Sequence, residues 1–175
     1  MKQPQIYAFA DEASPIIDKQ IIAMRRNALQ GLEIRNVDGE SVAAISLDKA
    51  REVRAKMDAA GLKVWSIGSP IGKIDIEKDD FNAHMNTLRH VIEVAKILGA
   101  ENIRMFSFYI PKGEDADKYY DIVVAKMRKF AAICRAGGVT PMHENEKGIF
   151  GDIGRRCMLL HRALESDGFV CIVRN

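Results

Sequence analysis

The chain has 175 residues, of which 47% are apolar and 29% charged, with a formal net charge of +2. That length is enough for one domain with a real core, and the apolar share is too high for a disordered chain. With 26 Lys plus Arg against 24 Asp plus Glu, no field singles out nucleic acid or an acidic membrane, so neither is expected as a partner.

QIYAFA, from Gln5 to Ala10, reads as the first strand. Pro15 opens a helix whose apolar stripe runs through Ile16, Ile17, Gln20, Ile21, Met24 and Leu29, with Gly31 as its stop. LEIRNV, from Leu32 to Val37, is the second strand. Ser46 is placed as the N-cap of a helix from Leu47 to Ala60, closed by Gly61. KVWSIG (Lys63 to Gly68) is the third strand, and the loop SPIGK follows it. A long helix from Asp80 to Leu98 ends at Gly99, and NIRMFSF, from Asn102 to Phe108, is the fourth strand. A helix from Asp115 to Arg135, the strand VTPMHE, a helix from Ile153 to Leu164 and the strand FVCIV (Phe169 to Val173) complete the order.

Five strand–helix units and a sixth strand predict a parallel α/β sheet with right-handed crossovers, in one domain spanning residues 1–175. No GxGxxG follows the first strand and no GxxxxGK[ST] occurs, which disfavours the nucleotide-binding versions. The N-terminus, MKQPQIYAFADEAS, is neither a signal peptide nor a membrane span. Cys134, Cys157 and Cys171 lack metal-ligand spacing and read as reduced thiols of a cytoplasmic protein.

Ionisable residues gather just after the strands: Asp11 and Glu12, Glu33 and Arg35, Lys73, and the run from His143 to Lys147. Strand C-terminal ends are where a (β/α) barrel builds its active site. Side chains alternate along a strand, so Thr140, Met142 and Glu144 share one face and His143 lies on the other. Glu144 then suits a hard-metal carboxylate, against the plainer reading of an acidic flank to the next helix. His143 reads as a packed or hydrogen-bonded histidine. His84, His90 and His161 fall within helices and read the same way. Glu33 reads as a substrate-binding or supporting carboxylate. Lys73 suits a phosphate or carboxylate, and Arg104 offers a fork to an anion or pairs with Glu33 or Glu144. Glu146 is a second candidate for reaching substrate, equally readable as half of a solvated pair with Lys147. Phe106, Phe108, Tyr109 and Trp65 read as core, or at most as a wall for a sugar ring.

AFADEAS, GLEIRNVDG, SIGSPIGKI, AKILGAENIRMFSFYIP and HENEKGIFGD, in that order, resemble the sugar phosphate isomerase/epimerase family of xylose isomerase-like TIM barrels. The resemblance runs from Ile6 to about Val170. It implies an α/β TIM-barrel fold, here incomplete, with about five βα units plus a sixth strand. It also implies a divalent metal (Mn, Mg, Co or Zn) held by a Glu after the fifth strand, an Asp after the sixth, a His after the seventh and a Glu after the eighth. The first of these maps onto Glu144, followed by Asn145; the other three have no counterpart before Asn175. The expected activity is isomerisation or epimerisation of a sugar or sugar phosphate by proton abstraction next to a carbonyl, with Glu144 as ligand and proton carrier. That activity is expected to be impaired in a chain that ends after six strands, whose bare sheet edges favour homo-oligomers. A non-catalytic remnant of the fold is the alternative. An endonuclease IV-like phosphodiesterase is disfavoured by the charge balance and by four histidines of which three are helical.

Overall fold

The computed structural model describes residues 5–172. Strand β1 (Tyr7–Ala8) leads through a short 3-10 turn to helix α1 (Ile17–Arg26) and strand β2 (Gly31–Ile34). Then come β3 (Asn36–Val37), β4 (Glu40–Ser41), α2 (Leu47–Ala59), β5 (Lys63–Gly68), α3 (Phe81–Leu98) and β6 (Asn102–Met105). The remainder is α4 (Tyr120–Gly137), β7 (Thr140–Glu144), α5 (Gly154–Leu164) and β8 (Val170–Ile172). Six strands hydrogen-bond in the order β1-β2-β5-β6-β7-β8, and the registers of β1 with β2, β2 with β5 and β7 with β8 are parallel. This is the α/β TIM-barrel type, with a six-stranded main sheet among the described residues. Val173, the expected last residue of the final strand, lies outside them.

The chain forms two compact units, one of Met1–Ser69 with His90–Ile103 and one of Pro70–Arg89 with Arg104–Asn175. In the first, Ile17 and Met24 of α1, Val53 and Met57 of α2, and Leu32, Ile34 and Ile67 of the strands are buried. In the second, Phe108 and Phe130 pack with ring centroids 5.6 Å apart, and Phe81 lies 5.3 Å from Phe130. Such aromatic pairing adds to the area each ring removes from water. Among the described residues, no helix is long and apolar enough to cross a membrane.

Several elements differ from the sequence expectation for identifiable reasons. Helix α1 ends at Arg26, with Asn27 as its C-cap, rather than running to Gly31. Gly31 lies inside β2, where a Cβ would come 2.2 Å from the Lys63 carbonyl oxygen and 2.8 Å from the Tyr7 ring. Its glycine is a packing requirement of the strand, not a helix stop. LEIRNV divides into β2 and a hairpin of β3 with β4, because Asp38 (φ 51°) and Gly39 (φ 85°) adopt the paired positive φ of a primed hairpin turn. NIRMFSF stops being strand at Met105. Its last residues bond instead to the loop after β5, Phe106 N–H to Ile71 O at 2.7 Å and Phe108 N–H to Gly72 O at 3.0 Å. The expected helix from Asp115 starts as a 3-10 turn over Ala116–Tyr119. By contrast, Ser46 caps α2 by accepting from Lys49 N–H at 3.1 Å, and Gly61, Gly99 and Gly138 take left-handed φ just beyond their helices.

Candidate functional site

The candidate site lies in the second unit and is built on backbone before any side chain enters. The segment after β6 is flanked by the loops that follow β5 and β7. Tyr109 N–H donates to Ile74 O at 2.9 Å, Ile110 N–H to Gly148 O at 3.2 Å, and Phe150 N–H to Phe108 O at 3.0 Å. Three post-strand loops are thus knitted together beyond the ends of their strands. Buried backbone donors and acceptors must find partners, and here they find one another.

On that frame stand two ion pairs and one ring. Glu144, the last residue of β7, has a carboxylate oxygen 3.6 Å from the Arg104 guanidinium of β6; their side chains are 10% and 9% exposed. Lys73 Nζ, from the loop after β5, is 2.6 Å from Glu146 Oε2. The Phe106 ring centroid lies 4.3 Å from Lys73 Nζ and 5.1 Å from Arg104 Cζ, so both cations rest against one buried ring. Tyr109 reaches the far side of Glu146, its hydroxyl 3.5 Å from Oε1. Burial, and then the Glu146 charge, push that phenol above its ordinary range, so it remains a proton donor to the carboxylate.

Two histidines hold the loops. Gly72 N–H donates to His84 Nε2 at 2.7 Å. A backbone amide is always the donor, so this imidazole is neutral at Nε2, and burial lowers its pKa in the same direction. The bond fixes the residue just before Lys73. His143 is 1% exposed, and its Nε2 is 3.0 Å from Ser107 Oγ, which accepts from Gly151 N–H at 2.8 Å. This ties the loop carrying Glu146 to the segment after β6.

Burial pulls the His143 pKa down from 6.5 to about 4. The unfolded chain then takes up a proton that the folded protein refuses. Stability from this group is complete above pH 6.5 and is lost as pH falls toward about 4. Urea unfolding across that window is expected to show a loss on the order of 3 kcal/mol in wild type that is absent from His143→Gln. Equal slopes in the two proteins would show that His143 titrates normally.

The expected candidates distribute as follows. Arg104 takes Glu144 as an ion-pair partner, and Lys73 takes Glu146. Glu33 belongs to the first unit, 3% exposed on β2, with Oε1 3.2 Å from where a Gly68 Cβ would stand. Near it Arg35 is ion-paired with Asp11 at 2.9 Å and Glu12 at 3.1 Å. Sequence reasoning placed Tyr109 with the core and His84 with helix surface or packing. Their contacts depend on residues 37 and 12 positions away, for which no local pattern exists.

The sequence profile described as "Xylose isomerase-like TIM barrel" matches residues 23–166. The chain belongs to the xylose isomerase-like TIM barrel family. No curated protein matches it in sequence. Among solved structures, a xylose isomerase-like TIM barrel protein from Mycobacterium smegmatis, crystallised with magnesium, superposes with a TM-score of 0.72 at 14% identity. That match covers 95% of this chain and 63% of the other. An L-ribulose 3-epimerase gives 0.72 at 16% identity, covering 98% and 60%. An AP endonuclease, family 2, from Brucella melitensis gives 0.69 at 14% identity, covering 98% and 68%. At such identities the superpositions show a shared fold, of which this chain spans about 60%.

Family members that carry a divalent ion need a set of hard donors. Among the described residues there is no cluster of three or more His, Cys, Asp or Glu side chains able to hold one, and Glu144 stands beside a guanidinium. These residues alone do not fit a dication.

Proposed function

We propose that this chain carries two carboxylates of a sugar isomerase or epimerase, one that moves the proton and one that binds substrate. The observation that carries the reading is the pair Glu144 and Glu146, each beside a cation, with both cations against the same ring. Moving a proton off the carbon next to a carbonyl requires a positioned base and a group to return the proton. It also requires positive charge where the carbonyl oxygen becomes negative. Glu144 is the base and, once protonated, gives the proton back to the enediolate carbon; Arg104 faces the developing enediolate oxygen, and Glu146, held between Lys73 and Tyr109, accepts hydrogen bonds from the substrate hydroxyls. The substrate is a small sugar or its phosphate, and the active protein is one domain.

The test is isotope exchange. The purified protein, with a panel of ketoses and ketose phosphates in D2O and added magnesium or manganese, is expected to wash out the proton beside the carbonyl of at least one. Loss of that signal in the 1H NMR spectrum reports it. No enzyme-dependent exchange across the panel would overturn the reading in favour of a fold without this reaction.

β1 and β8 stand at the two ends of the sheet order, and Val170 of β8 is 44% exposed. Such edges pair with other strands. Sedimentation velocity is expected to show self-association above the 19.6 kDa of one chain; a monomer at every concentration would refute edge pairing.

A further inference from the structure

We infer that this site accepts uncharged polyhydroxy carbonyl compounds and rejects their phosphate esters. The inference rests on the proposed reading and narrows its substrate. Among the described residues, the two ion pairs at the Phe106 ring set two cations, Lys73 and Arg104, against two carboxylates, Glu146 and Glu144. Neither His84 nor His143, the two histidines that hold these loops, adds to the positive side near neutral pH. His84 accepts a backbone N–H, and His143 is kept neutral by burial. A dianion entering here meets no net positive charge.

Hydrogen-bond chemistry points the same way. A sugar hydroxyl is one donor and two acceptors, so it can accept a hydrogen bond from Lys73 or Arg104 while donating one to Glu146 or Glu144. Each ion pair is therefore matched by one hydroxyl or by a vicinal pair. A phosphate dianion offers acceptors only. It can use the cations but leaves a carboxylate oxygen facing a phosphate oxygen, an arrangement that like charge penalises. Glu146 cannot simply swing aside unopposed, because it is held from one side by Lys73 at 2.6 Å and approached from the other by the Tyr109 hydroxyl at 3.5 Å. In this site Lys73 is the counter-charge that holds Glu146 and a donor to a hydroxyl, not a phosphate clamp.

The experiment uses inorganic phosphate as the probe, titrated calorimetrically into the full chain without any turnover, so it succeeds or fails independently of isotope exchange. Wild type is expected to bind phosphate no tighter than about 10 mM, while Glu146→Gln, which frees Lys73 of its charge partner, tightens binding at least about tenfold. Glu146 is about one-third exposed, so the substitution leaves the fold in place. Adding Lys73→Met to Glu146→Gln is expected to cancel the gain. Millimolar or tighter binding by wild type, no gain in Glu146→Gln, or a gain that survives the loss of Lys73 would each overturn the inference.

Discussion

Glu144→Gln is expected to cut the rate of proton exchange beside the substrate carbonyl by about 10²–10⁴-fold, the usual contribution of a positioned general base. The amide keeps the shape of the side chain and an oxygen to face Arg104, but it cannot accept a proton as a carboxylate does. A second effect has to be separated from the first. Arg104 is 9% exposed, and removing the charge from its partner leaves a buried guanidinium less well compensated. Breaking a buried pair from one side typically costs about 3–5 kcal/mol, although the retained amide oxygen softens that here. Urea unfolding of the same variant measures the structural part. Arg104→Met, which removes the opposite charge, supplies the comparison: it is expected to slow exchange while leaving the base present. If Glu144→Gln exchanges protons at the wild-type rate, Glu144 is not the base, whatever its stability. If the rate falls only in step with the fraction unfolded, its role is structural.

Gly72→Ala is expected to be among the most destabilising single-methyl additions in the protein. Gly72 has φ +88°, and a Cβ there would stand 1.9 Å from the Phe106 carbonyl oxygen and 2.5 Å from its carbon. Neither atom can move aside, because Phe106 N–H and Phe108 N–H are bonded to the loop on either side of this contact. The backbone conformation alone costs a residue with a side chain about 1–3 kcal/mol. The collision adds to that, for a total of order 3–5 kcal/mol, near the upper end of single substitutions. Gly113 is the control. It has φ +90° with nothing within 4 Å of an added Cβ, so Gly113→Ala is charged only for its backbone. Equal urea midpoints for the two variants would show that the seat at Phe106 has room for a methyl group. Because Gly72 precedes Lys73 and donates to His84, the same substitution should also release the Lys73–Glu146 pair.

What the sequence determined by itself was local. Ser46 announced the start of α2 because its side chain caps the first turn, and Gly61 and Gly99 announced helix ends because a left-handed residue closes a helix cheaply only when it lacks a Cβ. The run KVWSIG is strand β5 over its whole length, and the alternation of VTPMHE carried Glu144 to the C-terminal end of β7. The primed turn at Asp38-Gly39, which divides LEIRNV, was missed although the dipeptide favours it. The tertiary structure decided the rest. Gly31 looked like a helix stop, yet it is glycine because a neighbouring strand's carbonyl and the Tyr7 ring leave no room for a side chain. Arg104 had two carboxylates to choose from in the sequence, and Lys73 read as a cation for a phosphate or carboxylate. Their pairing with Glu144 and Glu146 follows from the loops after β5, β6 and β7 being hydrogen-bonded to one another. Periodicity and capping act over three or four residues. Which charge meets which is set by backbone bonds between segments more than thirty residues apart, as between Phe106 and Ile71 or Ile110 and Gly148, and no local pattern encodes those.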